Sequence, residues 1–99
     1  SQLFFHPAPP SSVKAGEPFE VKFSMQNFEN RSMNYRYRFS VDSQLFAEEI
    51  LFIERGASAN VSKAVALTGP GRHKLYIAAD KIDAPDGRPL EIYFTVNAE

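Results

Sequence analysis

The sequence predicts an all-β fold, an antiparallel sandwich of about seven strands. Two observations predict it. Apolar and polar side chains alternate with period two in several segments, and turn signals recur about every ten residues. A chain of 99 residues suits one domain, and a length of that order can bury roughly two-thirds of its unfolded surface. With 43% hydrophobic residues, nine Phe and four Tyr, there is enough apolar material for one ordinary core.

The elements follow in order. Leu3–His6 is short and apolar and runs into Pro7, Pro9 and Pro10. Proline offers no N–H to a ladder, so this reads as an edge strand ending in a loop. Ser11–Glu17 reads as a polar turn. Pro18–Phe28 is the clearest strand: Phe19, Val21, Phe23 and Met25 fall on one face, and Glu20, Lys22, Ser24 and Gln26 on the other. A polar loop over Asn27–Met33 leads to Asn34–Asp42. There Tyr35, Tyr37, Phe39 and Val41 oppose Arg36, Arg38 and Ser40. The two strands are read as antiparallel neighbours or as partners across the sandwich.

Gln44–Arg55 admits two readings. As a strand, one face carries Phe46, Glu48, Ile50 and Phe52. As a helix, Phe46, Ile50 and Ile53 align, with Ser43 as cap and Gly56 as stop. The β-branched and aromatic residues of its second half favour two extended pieces. Ala57–Leu67 is a weaker strand. After the turn Thr68–Gly71, alternation resumes in Arg72–Ala79. A loop over Asp80–Pro89 precedes the last strand, Leu90–Asn97. The expected core is Phe19, Val21, Phe23, Met25, Tyr37, Phe39, Val41, Val61, Leu75, Ile77, Ile92, Phe94 and Val96.

Composition narrows the function classes. Eleven basic and twelve acidic residues leave a formal net charge of −1, so no basic face dominates and nucleic acid is not an expected partner. With no cysteine, disulfide scaffolds, thiolate metal sites and cysteine nucleophiles are excluded. No run of about 18 apolar residues occurs, so any membrane attachment is expected through segments outside this chain. The chain begins at Ser1 without Met. The expectation is a single domain over residues 1–99, excised from a larger protein.

Several groups invite a functional reading. Asp80, Asp83 and Asp86 share one loop and could hold Ca²⁺ with backbone carbonyls; a solvated turn is the ordinary alternative. Asn30–Arg31–Ser32 and Asn60–Val61–Ser62 are glycosylation acceptor sequences, at Asn30 and Asn60. His6 and His73 are the only histidines, and a metal site built on them would need Met25 or Met33 to converge. Arg36 and Arg38 share an outward face, with Lys22 expected nearby on another strand. Such charge guards a sheet edge or meets an acidic partner. Leu3, Phe4 and Phe5 either dock on the sheet or remain an exposed patch. Strands near Leu3 and Gln44 are the expected edges for pairing between chains. No serine, histidine and aspartate are arranged as a nucleophile elbow would require, so no enzyme and no cofactor are expected.

The run from Val13 to Val96 resembles prokaryotic extracytoplasmic immunoglobulin-like modules of the cell-adhesion-related type. It looks closest to an uncharacterised, largely archaeal family whose β-domain follows membrane-spanning helices. The matching residues are Val13–Gly16 before Phe19–Met25, Asn27 at that strand's end, and Tyr35-x-Tyr37-x-Phe39-x-Val41. The turn Ile53–Gly56, Gly71-x-x-Lys74–Leu75–Tyr76 leading to Asp80, and Leu90–Val96 complete them. The ending Asn97–Ala98–Glu99 departs from the adhesion-related pattern, which often has acidic and Asn residues there. The resemblance implies an immunoglobulin-like sandwich and an extracytoplasmic setting, at the cell surface or in the periplasm. It also implies a spacer, or a module binding an unknown protein or glycan in a membrane-anchored or surface protein. It carries over no catalytic residues. The alternative expectation is a small metal- or ligand-binding domain using the Asp80–Asp86 loop.

Overall fold

The computed structural model describes residues 1–83 and 87–99. Among the described residues eight strands run in the order β1 (Gln2–Phe5), β2 (Ser12–Val13), β3 (Phe19–Gln26), β4 (Met33–Val41), β5 (Gln44–Ile53), β6 (Ser58–Val65), β7 (Gly71–Lys81) and β8 (Leu90–Ala98). They form a sandwich of two sheets, β1-β3-β6 and β2-β8-β7-β4-β5. All pairings are antiparallel except β2 with β8, where Ser12 lies beside Asn97 and Val13 beside Ala98. No helix occurs among the described residues.

Period-two alternation builds the core as expected. Val21, Phe23 and Met25 of β3 face Tyr35, Tyr37 and Phe39 of β4 across the sandwich, all at most 1% exposed. Phe23 packs edge-on to Tyr37, with ring centroids 5.1 Å apart. Leu75, Ile77 and Val96 fill the layer from β7 and β8. Phe19, Val41, Val61, Ile92 and Phe94 pack against this cluster but are only half-buried. Met33, Ile53, Val65, Leu67, Ala79 and Ala98 belong to the core although the expected core did not include them. Leu3 docks into it, and Phe5 packs on Phe94.

Three expectations about local structure change. Gln44–Ile53 is one ten-residue strand, neither a helix nor two pieces. It begins with a β-bulge: Phe39 pairs with Ala47 and Ser40 with Leu45, leaving Phe46 as the extra residue. The bulge breaks the alternation, which is why the segment also showed a helical spacing. The expected polar turn before β3 contains the two-residue strand β2, hydrogen-bonded through its backbone to β8. Lastly, Met33 opens β4 rather than ending a loop.

The β4–β5 connection is a two-residue hairpin. Asp42 and Ser43 take φ of 51° and 68°, the left-handed pair of a type I′ turn. Asn-Gly or Asp-Gly would announce this turn in a sequence; Asp-Ser does not. The turn is held from outside: Asp42 N–H donates to the Lys74 carbonyl at 2.9 Å, and Asp42 Oδ1 accepts from Lys74 N–H at 2.9 Å.

At the opposite end of the sandwich, Asn27 is fully buried. Its Nδ2 donates to the carbonyls of Arg31 and Ile53 at 2.9 Å and of Glu54 at 3.3 Å. Its Oδ1 accepts from Glu29 N–H at 2.9 Å and from the Tyr35 hydroxyl at 3.0 Å. One side chain thus satisfies the backbone of two loops. Gly56, at φ 74°, lets the second loop turn back so that its N–H reaches the Asn27 carbonyl at 3.0 Å.

Candidate interaction surface

The outward side chains of the five-stranded sheet form one face of the sandwich. Register fixes their neighbours. Arg36 lies between Asp80 of β7 and Ile50 of β5, Arg38 between Ala78 and Glu48, and Ser40 between Tyr76 and Leu45. Tyr76 is paired with Tyr93 of β8. The same face carries Leu45, Ile50, Phe52 and Tyr93, each 58–66% exposed. Between them an open groove of about 630 Å³ is bordered by Arg36, Arg38, Tyr76, Asp80, Arg88 and Pro89.

The chemistry of this face is aromatic and cationic with a few carboxylates. Arg38 Nε meets Glu48 Oε2 at 2.5 Å, and that bond, with the Glu48 charge, raises the guanidinium further above its ordinary value. Both partners are well exposed, so water screens the pair. Lys74 Nζ sits 4.8 Å from the Tyr93 ring centroid and 5.6 Å from that of Tyr76. Burial, and then the Glu91 carboxylate, push the Tyr76 hydroxyl up, so it stays protonated and able to donate.

The arginines do not guard an edge, contrary to the edge-guarding expectation. β4 is internal, between β7 and β5. Lys22 does not join them either: it lies on β3 in the other sheet and pairs with Glu20 at 3.4 Å. A strand's own alternation reports which side chains share its face, but not where the strand stands in the sheet.

The other sequence candidates are dispersed. Asp80 lies on the groove wall. Asp83 Oδ2 accepts from Asn34 N–H at 2.8 Å and from Asn34 Nδ2 at 3.3 Å. Asp86 lies outside the described residues. Among the described residues no three His, Asp or Glu side chains are grouped to hold a metal ion. Met25 and Met33 are core residues, while His6 lies on the outer face of the three-stranded sheet and His73 at the β4–β5 end. Asn30 is an exposed loop residue. Asn60 is exposed on β6, and its Oδ1 accepts the Ser24 hydroxyl at 2.6 Å.

One cluster escaped the sequence reading. Glu49 of β5 receives the Tyr37 hydroxyl from β4 and Lys63 Nζ from β6, the latter at 2.5 Å. It bridges the two sheets along one open side of the sandwich. The bond from Lys63, and then that from Tyr37, hold the Glu49 carboxyl below its ordinary range. Burial and the nearby carboxylate push Tyr37 far up. Only the strand order brings these three residues together, so no spacing in the sequence could have signalled them.

No known family profile matches the sequence, and no curated protein does. Solved structures do match its fold. The CARDB domain of a Pyrococcus furiosus protein, solved with di-metal ions, superposes with a TM-score of 0.81 at 11% identity, over 98% of this chain and 84% of that one. Fibronectin(III)-like modules of Clostridium thermocellum CbhA give 0.65 at 15% identity, over 99% and 97%. A β-glucosidase from Listeria innocua, in complex with isofagomine, gives 0.77 at 14% identity, but this chain spans 16% of that enzyme. At these identities the likeness concerns fold. The chain therefore has an immunoglobulin-like β-sandwich fold, shared with CARDB and fibronectin(III)-like modules.

Proposed function

We propose that the chain is a non-catalytic module of a membrane-anchored or surface protein. It spaces neighbouring domains and presents the outer face of its five-stranded sheet to a protein or glycan outside the cytoplasm. The observation that carries this reading is that exposed Leu45, Ile50, Phe52 and Tyr93 share one sheet face with an open groove bordered by Arg36 and Arg38. Tyrosine and arginine are enriched where proteins meet partners, because each combines apolar area with directed polar contact. The neighbours support the modular part, since two are named as a domain and as modules and a third is a much longer chain. The archaeal membrane-anchored resemblance supports the extracytoplasmic setting.

The test uses Arg36→Glu/Arg38→Glu. Binding to isolated cell-envelope polysaccharide and to the flanking domains of the parent protein is measured for both proteins. The reading expects at least one of these to bind the wild type and to lose about tenfold or more with the double variant, since tenfold is about 1.4 kcal/mol. Equal binding of the two proteins, or none by the wild type, overturns it.

A second reading is a small metal- or ligand-binding domain using the loop from Asp80 to Asp86. The CARDB neighbour solved with di-metal ions favours it. It is the weaker reading because Asp83 is already engaged by Asn34. Calcium titration decides: a rise in melting temperature supports it, and an unchanged one ends it.

A further inference from the structure

β5 is an open edge of the five-stranded sheet. It pairs with β4 on one side, and among the described residues no strand covers the other. Folded chains ordinarily blunt such an edge with charge, proline or shortness. The other edge strands are blunted or polar. β1 has four residues and runs into Pro7, and β2 has two. β6 exposes only Ser58, Asn60, Ser62 and Ala64. On β5 the reverse holds. Four of the six large apolar side chains that the described residues leave exposed stand on it: Leu45, Phe46, Ile50 and Phe52.

The bulge at Phe46 divides the strand. Pairing with β4 runs without a shift from Ala47 to Ile53. A bulge bends an edge and turns it away from further pairing, so these seven residues are the part open to another strand. Ile50 is their midpoint. We infer that this segment pairs antiparallel with the same segment of a second copy, centred on Ile50, so that two five-stranded sheets become one continuous sheet.

Side chains select both the occupant and the register. Directly paired residues point to the same side of a sheet, so a twofold dimer with both sandwiches on one side of it is centred on a residue. Centring on Glu48 or Glu49 sets that carboxylate against its own copy, and like charges directly opposite destabilise a pair. Centring on Leu51 shortens the pair to Glu49–Ile53 and brings Glu48 opposite Glu54 of the second copy. Centring on Ile50 uses all seven residues and opposes no two carboxylates. On the outward side Ile50 then meets Ile50 of the second copy, with each Phe52 diagonal to it and within reach. Glu48 falls opposite Phe52 of the second copy and keeps its bond with Arg38. Glu49 falls opposite Leu51 of the second copy and keeps Lys63 and Tyr37. The contact is the same patch on both copies, so it closes at two. One strand pair is a small interface, so the dimer is weak and concentration-dependent. It sets two outer faces side by side and is independent of what their grooves bind.

Cross-linking tests the register. The chain has no cysteine, so the disulfide formed by a single-cysteine variant in a glutathione buffer joins two copies or captures glutathione, and mass separates the two. Opposed residues in an antiparallel pair have Cα atoms about 4.5–5.5 Å apart, within the span of a disulfide. The two copies of residue 52 are offset by four positions, about 13 Å along the strand, which is too far. Ile50→Cys is therefore expected to cross-link about tenfold faster or more than Phe52→Cys, or than Tyr93→Cys on β8, because proximity raises the effective concentration of its thiols. Sedimentation of the wild type at up to about 1 mM chain, the range of very weak association, is expected to show monomer and dimer. Ile50→Glu sets like charges opposite and is expected to weaken the dimer about tenfold or more. Ile50 is 58% exposed, so neither substitution reaches the core. Hydrogen exchange should gain protection with concentration in β5 amides. The inference is overturned by a monomer throughout, by equal cross-linking of the three cysteine variants, or by open assemblies larger than two. A dimer indifferent to Ile50→Glu, or one that protects β1, β2 or β6 in place of β5, overturns it equally.

Discussion

His73 Nδ1 lies 2.5 Å from Asp42 Oδ2. The other ring nitrogen, Nε2, lies 2.5 Å from the Gly69 carbonyl oxygen. A carbonyl can only accept, and an ionised Asp42 carboxylate can only accept, so both bonds are made together only by the imidazolium form of the ring. This clasp ties the β4–β5 hairpin to the turn before β7. Its bonds, first to Asp42 and then to Gly69, raise the His73 pKa. Burial pushes the Asp42 carboxyl up, but the bonds from His73 and Lys74 outweigh it and lower its pKa.

The pH dependence follows from those directions. A raised histidine pKa contributes stability that is complete below the unfolded value, about 6.5, and fades as pH rises through the folded value. A lowered aspartate pKa contributes stability above its unfolded value that fades as pH falls through the folded one. The clasp is therefore strongest in mildly acidic solution and weakens on both sides. In His73→Gln the loss of stability relative to wild type is expected to shrink as pH rises from about 6 to 9, across the ordinary histidine range. Urea unfolding at several pH values measures this; a pH-independent difference would contradict it.

Ser43 pays a conformational penalty in the same turn, since a side chain at φ 68° is crowded by its own backbone. Ser43→Gly supplies the residue that the second position of a type I′ turn prefers. Part of the gain is offset by the greater freedom of glycine in the unfolded chain. A net stabilisation of about 0.5–1 kcal/mol is expected, seen as a higher denaturation midpoint with an unchanged slope.

Asn27→Ala removes five hydrogen bonds made by a fully buried side chain. Buried groups left without partners cost about 1–3 kcal/mol each, and local relaxation will rescue some. The expected loss is about 2–4 kcal/mol, larger than for most single substitutions. Thermal melting reads it directly. A change within about 0.5 kcal/mol, typical of surface substitutions, would show that the two loops do not depend on Asn27.

Phe23→Ala opens a cavity between the sheets, where Phe23 touches both Tyr37 and Phe39. The expected cost is about 3–5 kcal/mol. For a domain near 100 residues that lowers the melting temperature by more than about 10 °C. Phe52→Ala, at an exposed site of the same residue type, should cost less than about 1 kcal/mol. Comparing the two melts separates burial from mere hydrophobicity.

Alternation along the chain by itself determined the layer structure. Phe19–Met25, Tyr35–Val41 and Leu90–Val96 each placed apolar side chains on one face, because a strand's geometry alternates whatever surrounds it. The all-β class, the sheet-to-sheet core around Phe23 and Phe39, and the outward direction of Arg36 and Arg38 were all legible from that. What only tertiary structure decided was lateral order. β4 lies inside its sheet and β5 at the rim, Glu49 meets Lys63 and Tyr37, and His73 meets Asp42, all through pairings between segments distant in sequence. The bulge at Phe46 and the two-residue strand at Ser12 were likewise hidden. Both are set by which backbone groups find partners across space, and a backbone N–H looks the same in every residue but proline.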